Sequence, residues 1–322
     1  MVIGPAGSGK TTLTKRIVKK YLEEKKMAFF ISFHRIGKND RWNLKNLLLK
    51  FPLILHGKIQ PSDTQIEYDF QWILKNEEKC LIVLDGLDQS EFEISNQPLE
   101  DIDINDELFP SQLISLLLSR KFLKNVRLIL TSRPHSIAQF SPLIQPNIVI
   151  FLNDLTKEDT EILMRYYIQE VDVEKILKIL SMKSPRVHTL VHNPLFLRIF
   201  AMLYNLAGEK IWKIVKTTSS LFYEIIGYHQ DSAHYGSEVG VEELNKKLGK
   251  MSFKKTMIEK SVVFNNDDLK EVNLTSNDIQ DLVFAVVENF TKHNNSSVVG
   301  VMLFYFMHQS IQVSSFIIKI VK

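Results

Sequence analysis

Residues 4–12 read GPAGSGKTT. Gly4, Gly7 and Gly9 carry no β-carbon, so the chain between them can curl until several backbone N–H groups point inward. Such a nest of amides attracts anions. Lys10 adds a point charge suited to the outer phosphates of a nucleotide, and the Thr11 hydroxyl can coordinate magnesium. The run is a complete GxxxxGK[ST] pattern, whereas the GxGxxG of dinucleotide-binding loops is absent. Gly4, Pro5, Ala6, Gly7, Ser8, Gly9, Lys10, Thr11 and Thr12 are therefore the candidate phosphate-binding residues.

A loop alone does not make a nucleotide site. In LIVLDGLDQ, four apolar residues set Asp85 at the C-terminal end of a buried strand, the edge where open α/β sheets hold ligands. A carboxylate there can hold the water shell of a nucleotide-bound magnesium ion, which makes Thr11 and Asp85 the candidate metal residues. Asp88 follows as a second carboxylate, able to polarise an attacking water. In LILTSRP, Ser132 and Arg133 end another apolar strand, and a polar side chain at that edge can sense the terminal phosphate. Asp85, Asp88 and Arg133 form the candidate catalytic set.

These residues need elements to position them. TTLTKRIVKKYLEEKK puts Leu13, Ile17, Val18, Tyr21 and Leu22 on one helical face, so the glycine-rich loop opens a helix whose N-terminal dipole also favours phosphate. Strands are expected at 27–33, 80–86, in NVRLILTSRP and at 147–152, with helices in NLKNLLLKF, IEYDFQWILKN and ELFPSQLISLLLSRKF. Short continuous apolar strands alternating with helices argue for a parallel sheet covered on both faces. From Leu155 onward the pattern turns mainly helical, including KEDTEILMRYYIQ, PLFLRIFAMLYNL, VEELNKKLGKMSF and SNDIQDLVFAVVENF.

The bulk properties fit this plan. A chain of 322 residues with 45% apolar content can bury one large core or several modest ones. Its net charge of +3, with lysines scattered among acids, leaves no strong nucleic-acid or membrane footprint. Cys80 is the only cysteine, so no internal disulfide can form and a reducing compartment fits. The longest apolar run, VVGVMLFYFM, is too short to span a bilayer. Within the acidic stretch Asp88–Glu107, EDIDINDE (100–107) superficially resembles a calcium loop, but Asp106 stands where the turn glycine belongs and Gln112 where the bidentate Glu belongs.

In that order and spacing, GPAGSGKTT, LIVLDGLDQ and LILTSRP resemble the NACHT module of the STAND class of P-loop NTPases, whose best-known members are NOD-like receptors. Gly86 after the magnesium Asp, with a further acid at Asp88, is the distinctive part. HNPLFL (192–197) is similar to the proline motif of the family's first helical domain, and the resemblance implies that Pro194 packs near the adenine. FYFMHQSIQ (304–312) resembles the winged-helix motif whose histidine touches the β-phosphate of ADP, here His308. The implied architecture is an α/β P-loop NTPase parallel sheet over 1–155, a small helical domain over 156–215 and an incomplete winged-helix domain over 216–322. The Walker A strand is expected between the sensor strand and strand 147–152.

The resemblance implies a cytoplasmic switch of the innate-immunity kind, with ATP or ADP and Mg as cofactors. Nucleotide exchange and slow hydrolysis would control oligomerisation, with self-association in the ATP state. Rival expectations are a turnover-competent AAA-like ATPase and a decayed scaffold that binds nothing. The sequence departs from the family at Gln89, where NACHT modules commonly carry Glu, and at SIQVSSF, where the end of the winged-helix motif has drifted. The segment before the loop, the effector domain and the ligand-sensing repeats of relatives are not in the sequence. The expectation is a fragment, a truncated gene model or a degenerate copy.

Overall fold

The computed structural model describes residues 1–51, 62–94, 102–134, 146–168, 173–217, 220–221, 224, 241–259, 263–275, 285–294 and 297–306. The chain divides into two compact units. One comprises Met1–Pro5, Lys10–Leu152 and Asn289–Val301, and the other Ala6–Gly9, Asn153–Glu288 and Met302–Lys322.

The first unit is built on a sheet of β1 (Val2–Ile3), β2 (Met27–Ser32), β3 (Cys80–Asp85), β4 (Arg127–Ser132) and β5 (Ile150–Phe151) in the order β2-β3-β4-β1-β5. All four pairings are parallel. As expected, β1 lies between the strand carrying LILTS and the strand at 150–151. Every residue of β3 is buried, because helices cover both faces. Leu81 and Val83 pack with Tyr21, Ile17 and Val18 of α1 (Lys10–Glu23). Cys80, Ile82 and Leu84 join the larger cluster with Phe70 and Ile73 of α2 (Asp63–Lys75) and Leu113, Ile114 and Leu117 of α3 (Pro110–Leu118). The two-residue period of the strand divides its side chains between these layers. Each such buried side chain contributes about 1.5–3 kcal/mol. Leu22, expected on the buried face of α1, is instead exposed.

The sheet brings four strand ends together in register. Ser32 lies opposite Asp85, and Ile3 opposite Ser132. The candidate residues of the loop, LIVLD and LILTS thus share one edge, the C-terminal edge of a parallel sheet.

The second unit is largely helical. Its helices include α4 (Lys157–Tyr167), α5 (Val173–Lys183), α6 (Pro185–Leu190) and α7 (Pro194–Ala207). Met164, Ile176, Leu180, Val187, Leu197 and Phe200 form its core. The Thr156 hydroxyl caps α4 by accepting from the Asp159 N–H, and Pro185 and Pro194 occupy first turns, where proline's missing N–H costs nothing. Further along the chain lie a helix at Val241–Phe253 and a three-stranded sheet in the order β6-β8-β7, with β6 at Val263–Asn265, β7 at Ala285–Asn294 and β8 at Ser297–Phe306; its residues Asn289–Val301 are those counted with the first unit.

Two expectations change here. Of SNDIQDLVFAVVENF, read as helical, AVVENF lies in β7, while residues 276–284 lie outside the described residues. Its Ala-Val-Val and Phe residues fit either period, and strand partners decide between them. Of the expected winged-helix domain, residues 218–219, 222–223, 225–240, 260–262, 276–284, 295–296 and 307–322 lie outside the described residues, and His308 with them.

Candidate functional site

The loop between β1 and α1 turns through Gly7 at φ 78° and Gly9 at φ 91°, a region that side chains bearing a Cβ rarely enter. Gly4 N–H donates to Ser132 O, which ties the start of the loop to the end of β4. Lys10 opens α1, and its Nζ donates to Gly4 O and Pro5 O, both at 2.8 Å. Burial lowers its pKa, countered by the negative charge of Asp88 and, more weakly, Asp85; Arg133 adds to the lowering. Lys10, Arg133, Asp85 and Asp88 therefore form one electrostatic cluster of two cations and two anions.

Thr11 and Asp85 lie far apart in sequence, yet Thr11 Oγ1 donates to Asp85 Oδ2 at 2.8 Å. Thr131 Oγ1 donates to Asp85 Oδ1 at 2.8 Å and itself accepts from the Gly86 N–H at 2.8 Å. Asp85 is buried, and that burial raises its pKa against the opposing hydrogen bonds from Thr131 and Thr11. Gly86 sits at φ 78°, which turns the chain sharply after β3 into the short turn Leu87–Gln89.

Arg133 Nε lies 2.7 Å from Asp88 Oδ2, and the Asp88 side chain is 4% exposed. The candidate sensor and the candidate water-polarising acid thus form an ion pair with each other. Two hydroxyls of the candidate region, Ser8 Oγ and Ser132 Oγ, are buried without a hydrogen-bond partner among the described residues. A buried polar atom without a partner costs about 1–3 kcal/mol, so such atoms favour a polar ligand.

The donor set suits magnesium. A hydroxyl and a carboxylate are hard oxygen ligands, and Mg²⁺ is commonly held by one or two such groups together with phosphates and waters. Among the described residues no group of three or more His, Cys, Asp and Glu side chains could hold a metal ion by itself. A magnesium ion carried by a nucleotide needs no such group.

A model of the NACHT domain matches residues 1–171, more than half of the 322-residue chain. The chain belongs to the NACHT family. Its relatives agree. Nucleotide-binding oligomerization domain-containing protein 2 of Bos taurus is 27% identical over 200 residues, covering 61% of this chain and 19% of its own length. NACHT, LRR and PYD domains-containing protein 2 of Homo sapiens is 26% identical over 169 residues, covering 49% of this chain and 14% of its own length. The NACHT chain therefore spans less than a fifth of these relatives. Among solved structures, a chain from Drosophila ORC bound to DNA is 13% identical, with 99% of this chain and 89% of that chain covered at a TM-score of 0.31. The family implies nucleotide binding, typically with Mg.

One contact of the NACHT loop carried no sequence expectation. Asn193 is buried, its Nδ2 donates to Ala6 O at 3.0 Å, and the Leu195 N–H reaches Gly7 O at 3.3 Å. The signal available beforehand was Asn-Pro as a helix start, and Asn193 does cap α7 by accepting from the Leu195 N–H. Pro194, expected near adenine, occupies the first turn of that helix between the two residues that touch the loop. The Asn-Pro pair marks where the helix starts but not what its first residue holds.

Proposed function

We propose that this NACHT chain is a nucleotide-operated switch of NOD-like receptor type. It binds ATP or ADP with Mg at the loop of residues 4–12, and the phosphate count biases self-association. The observation that carries the reading is the bond from Thr11 Oγ1 to Asp85 Oδ2 at 2.8 Å. It joins the residue after the loop lysine to the acid ending β3, a pairing that serves a nucleotide-bound magnesium ion.

In this reading the loop amides and Lys10 take the phosphates, while Thr11 and Asp85 orient the magnesium shell. The ion pair of Arg133 with Asp88 gives a terminal phosphate something to compete with. Drawing Arg133 away would release Asp88 to polarise water, and Gln89 keeps that hydrolysis slow. Pro194 contributes to the adenine pocket, and His308, in a winged-helix domain, contacts the β-phosphate of ADP. The protein acts in the cytoplasm as a signalling component, with nucleotide exchange driving oligomerisation. Among the described residues no helix is long and apolar enough to cross a membrane.

Calorimetry tests the core of this reading. The chain should bind ADP and ATP in the presence of Mg, and Lys10→Ala should lose at least about tenfold in affinity, the loss of one charge-assisted phosphate contact. Affinity that is unchanged in the variant would remove the loop from the site.

A further inference from the structure

The second unit holds an arrangement that goes beyond the phosphate loop's own residues. Ala6–Gly9 group with the helices that follow Asn153. Two loop carbonyls are taken by the start of α7: Ala6 O by Asn193 Nδ2, and Gly7 O by the Leu195 N–H. The approach is close. A Cβ built on Gly7 would lie 2.6 Å from Asn193 Oδ1 and 2.9 Å from Leu195 Cβ. Glycine at this position thus serves its φ of 78° and also leaves room for the asparagine.

The geometry of the peptide unit gives these contacts a consequence. In a planar trans peptide the C=O of one residue and the N–H of the next point in opposite directions. The Ala6 carbonyl shares its plane with the Gly7 N–H, and the Gly7 carbonyl shares its plane with the Ser8 N–H. Fixing both carbonyls toward Asn193 and Leu195 turns both amides the other way. Those are amides that a phosphate nest uses.

We infer that Asn193 is a positioning residue for the phosphate loop: by holding the Ala6 carbonyl, and with Leu195 the Gly7 carbonyl, it aims the Gly7 and Ser8 amides at a nucleotide's phosphates and ties loop geometry to the first turn of helix Pro194–Ala207. The inference rests on the nucleotide-binding reading above. It assigns to Asn193 a task separate from helix capping. The cap uses Oδ1, which accepts from Leu195 N–H at 3.2 Å, whereas the loop contact uses Nδ2, which donates to Ala6 O at 3.0 Å.

That division of atoms makes the test selective. Asp and Ser both cap helices well, but Asp has no donor for Ala6 O when ionised, and Ser is too short to reach as Asn does. Asn193→Ser in the full chain, which keeps the helix cap, should lower the melting temperature without nucleotide only slightly, and Asn193→Asp should lower it further, through repulsion at the buried Ala6 carbonyl, while leaving the chain folded. Both should weaken ADP binding by calorimetry, Asn193→Asp by about tenfold or more, because its carboxylate repels the carbonyl it replaces a donor to. Bound ADP should also slow hydrogen exchange at the Leu195 and Leu197 amides of the unaltered chain. ADP affinity in Asn193→Asp equal to that of the unaltered chain would overturn the inference, as would exchange at Leu195 that ADP leaves untouched. If either substitution unfolds the chain, the exchange measurement on the unaltered chain decides alone. Absence of ADP binding by the unaltered chain is a different result: it sinks the nucleotide reading itself.

Discussion

At the scale of single residues, Asp85 shows how a site works against stability. Its carboxylate is buried at the end of β3, and burial raises its pKa above the ordinary value of 3.8 despite the bonds from Thr131 and Thr11. A carboxyl whose folded pKa is raised favours folding where acid protonates it, and that contribution is lost as pH rises through the folded pKa. At neutral pH the ionised group is therefore a cost to folding, one that binding of a cation would offset. Asp85→Asn should raise the melting temperature of the nucleotide-free chain at pH 7 by a few degrees, about 2–4 °C per kcal/mol for a domain of this size. The amide can still accept from Thr131 and donate to the Thr11 oxygen. The same variant should lose the Mg dependence of nucleotide binding. A lower melting temperature would mean that the hydroxyl bonds outweigh the burial.

At the scale of elements, the ends of the parallel strands collect the polar groups that the strand interiors exclude. His34 lies in the turn Phe33–Arg35 that follows β2, with its Nδ1 2.9 Å from Ser32 Oγ. Burial lowers its pKa from 6.5 to about 3, with smaller contributions from the positive charges of Arg35 and Lys15. The folded chain keeps the imidazole neutral while the unfolded chain protonates it. This contribution to stability is present above pH 6.5 and is lost as pH falls from 6.5 toward 3. The urea midpoint should fall as pH is lowered from 7 to 4, and His34→Asn, which retains a polar partner for Ser32, should flatten that slope. An equal slope in both proteins would assign the acid sensitivity elsewhere. Elements also account for a misreading: AVVENF has residues at home in either period, and its place beside β8 made it a strand.

At the scale of the whole molecule, the proposed switch needs two states and a difference in how ADP and ATP favour them. Moving such an equilibrium from about 1:99 to 99:1 takes about 5.5 kcal/mol. One charge-assisted hydrogen bond supplies about 1.5–3 kcal/mol, so contacts between copies must supply much of the rest. His308→Leu should weaken ADP more than ATP by calorimetry and increase self-association by sedimentation. Equal weakening of both nucleotides would rule out the proposed contact of His308 with the β-phosphate of ADP.

What the sequence determined by itself was the chemistry available and the edge at which it would gather. GPAGSGKTT, LIVLD and LILTS carry their meaning locally, since a glycine loop, an apolar strand and a terminal acid are legible within ten residues. Burial of those strands on both faces then requires a parallel sheet, and its C-terminal edge follows. Only the tertiary structure decided the partners: Asp85 held by Thr11 and Thr131, Asp88 by Arg133, and the carbonyls of Ala6 and Gly7 by Asn193 and Leu195. Each of those pairs joins residues from separate parts of the chain, and a hydrogen bond with a reach of about 3 Å leaves no periodic trace in sequence. The Asn193 contact is the clearest instance. Asn-Pro announced a helix start through backbone preference alone, while the loop seated against it lies 187 residues earlier.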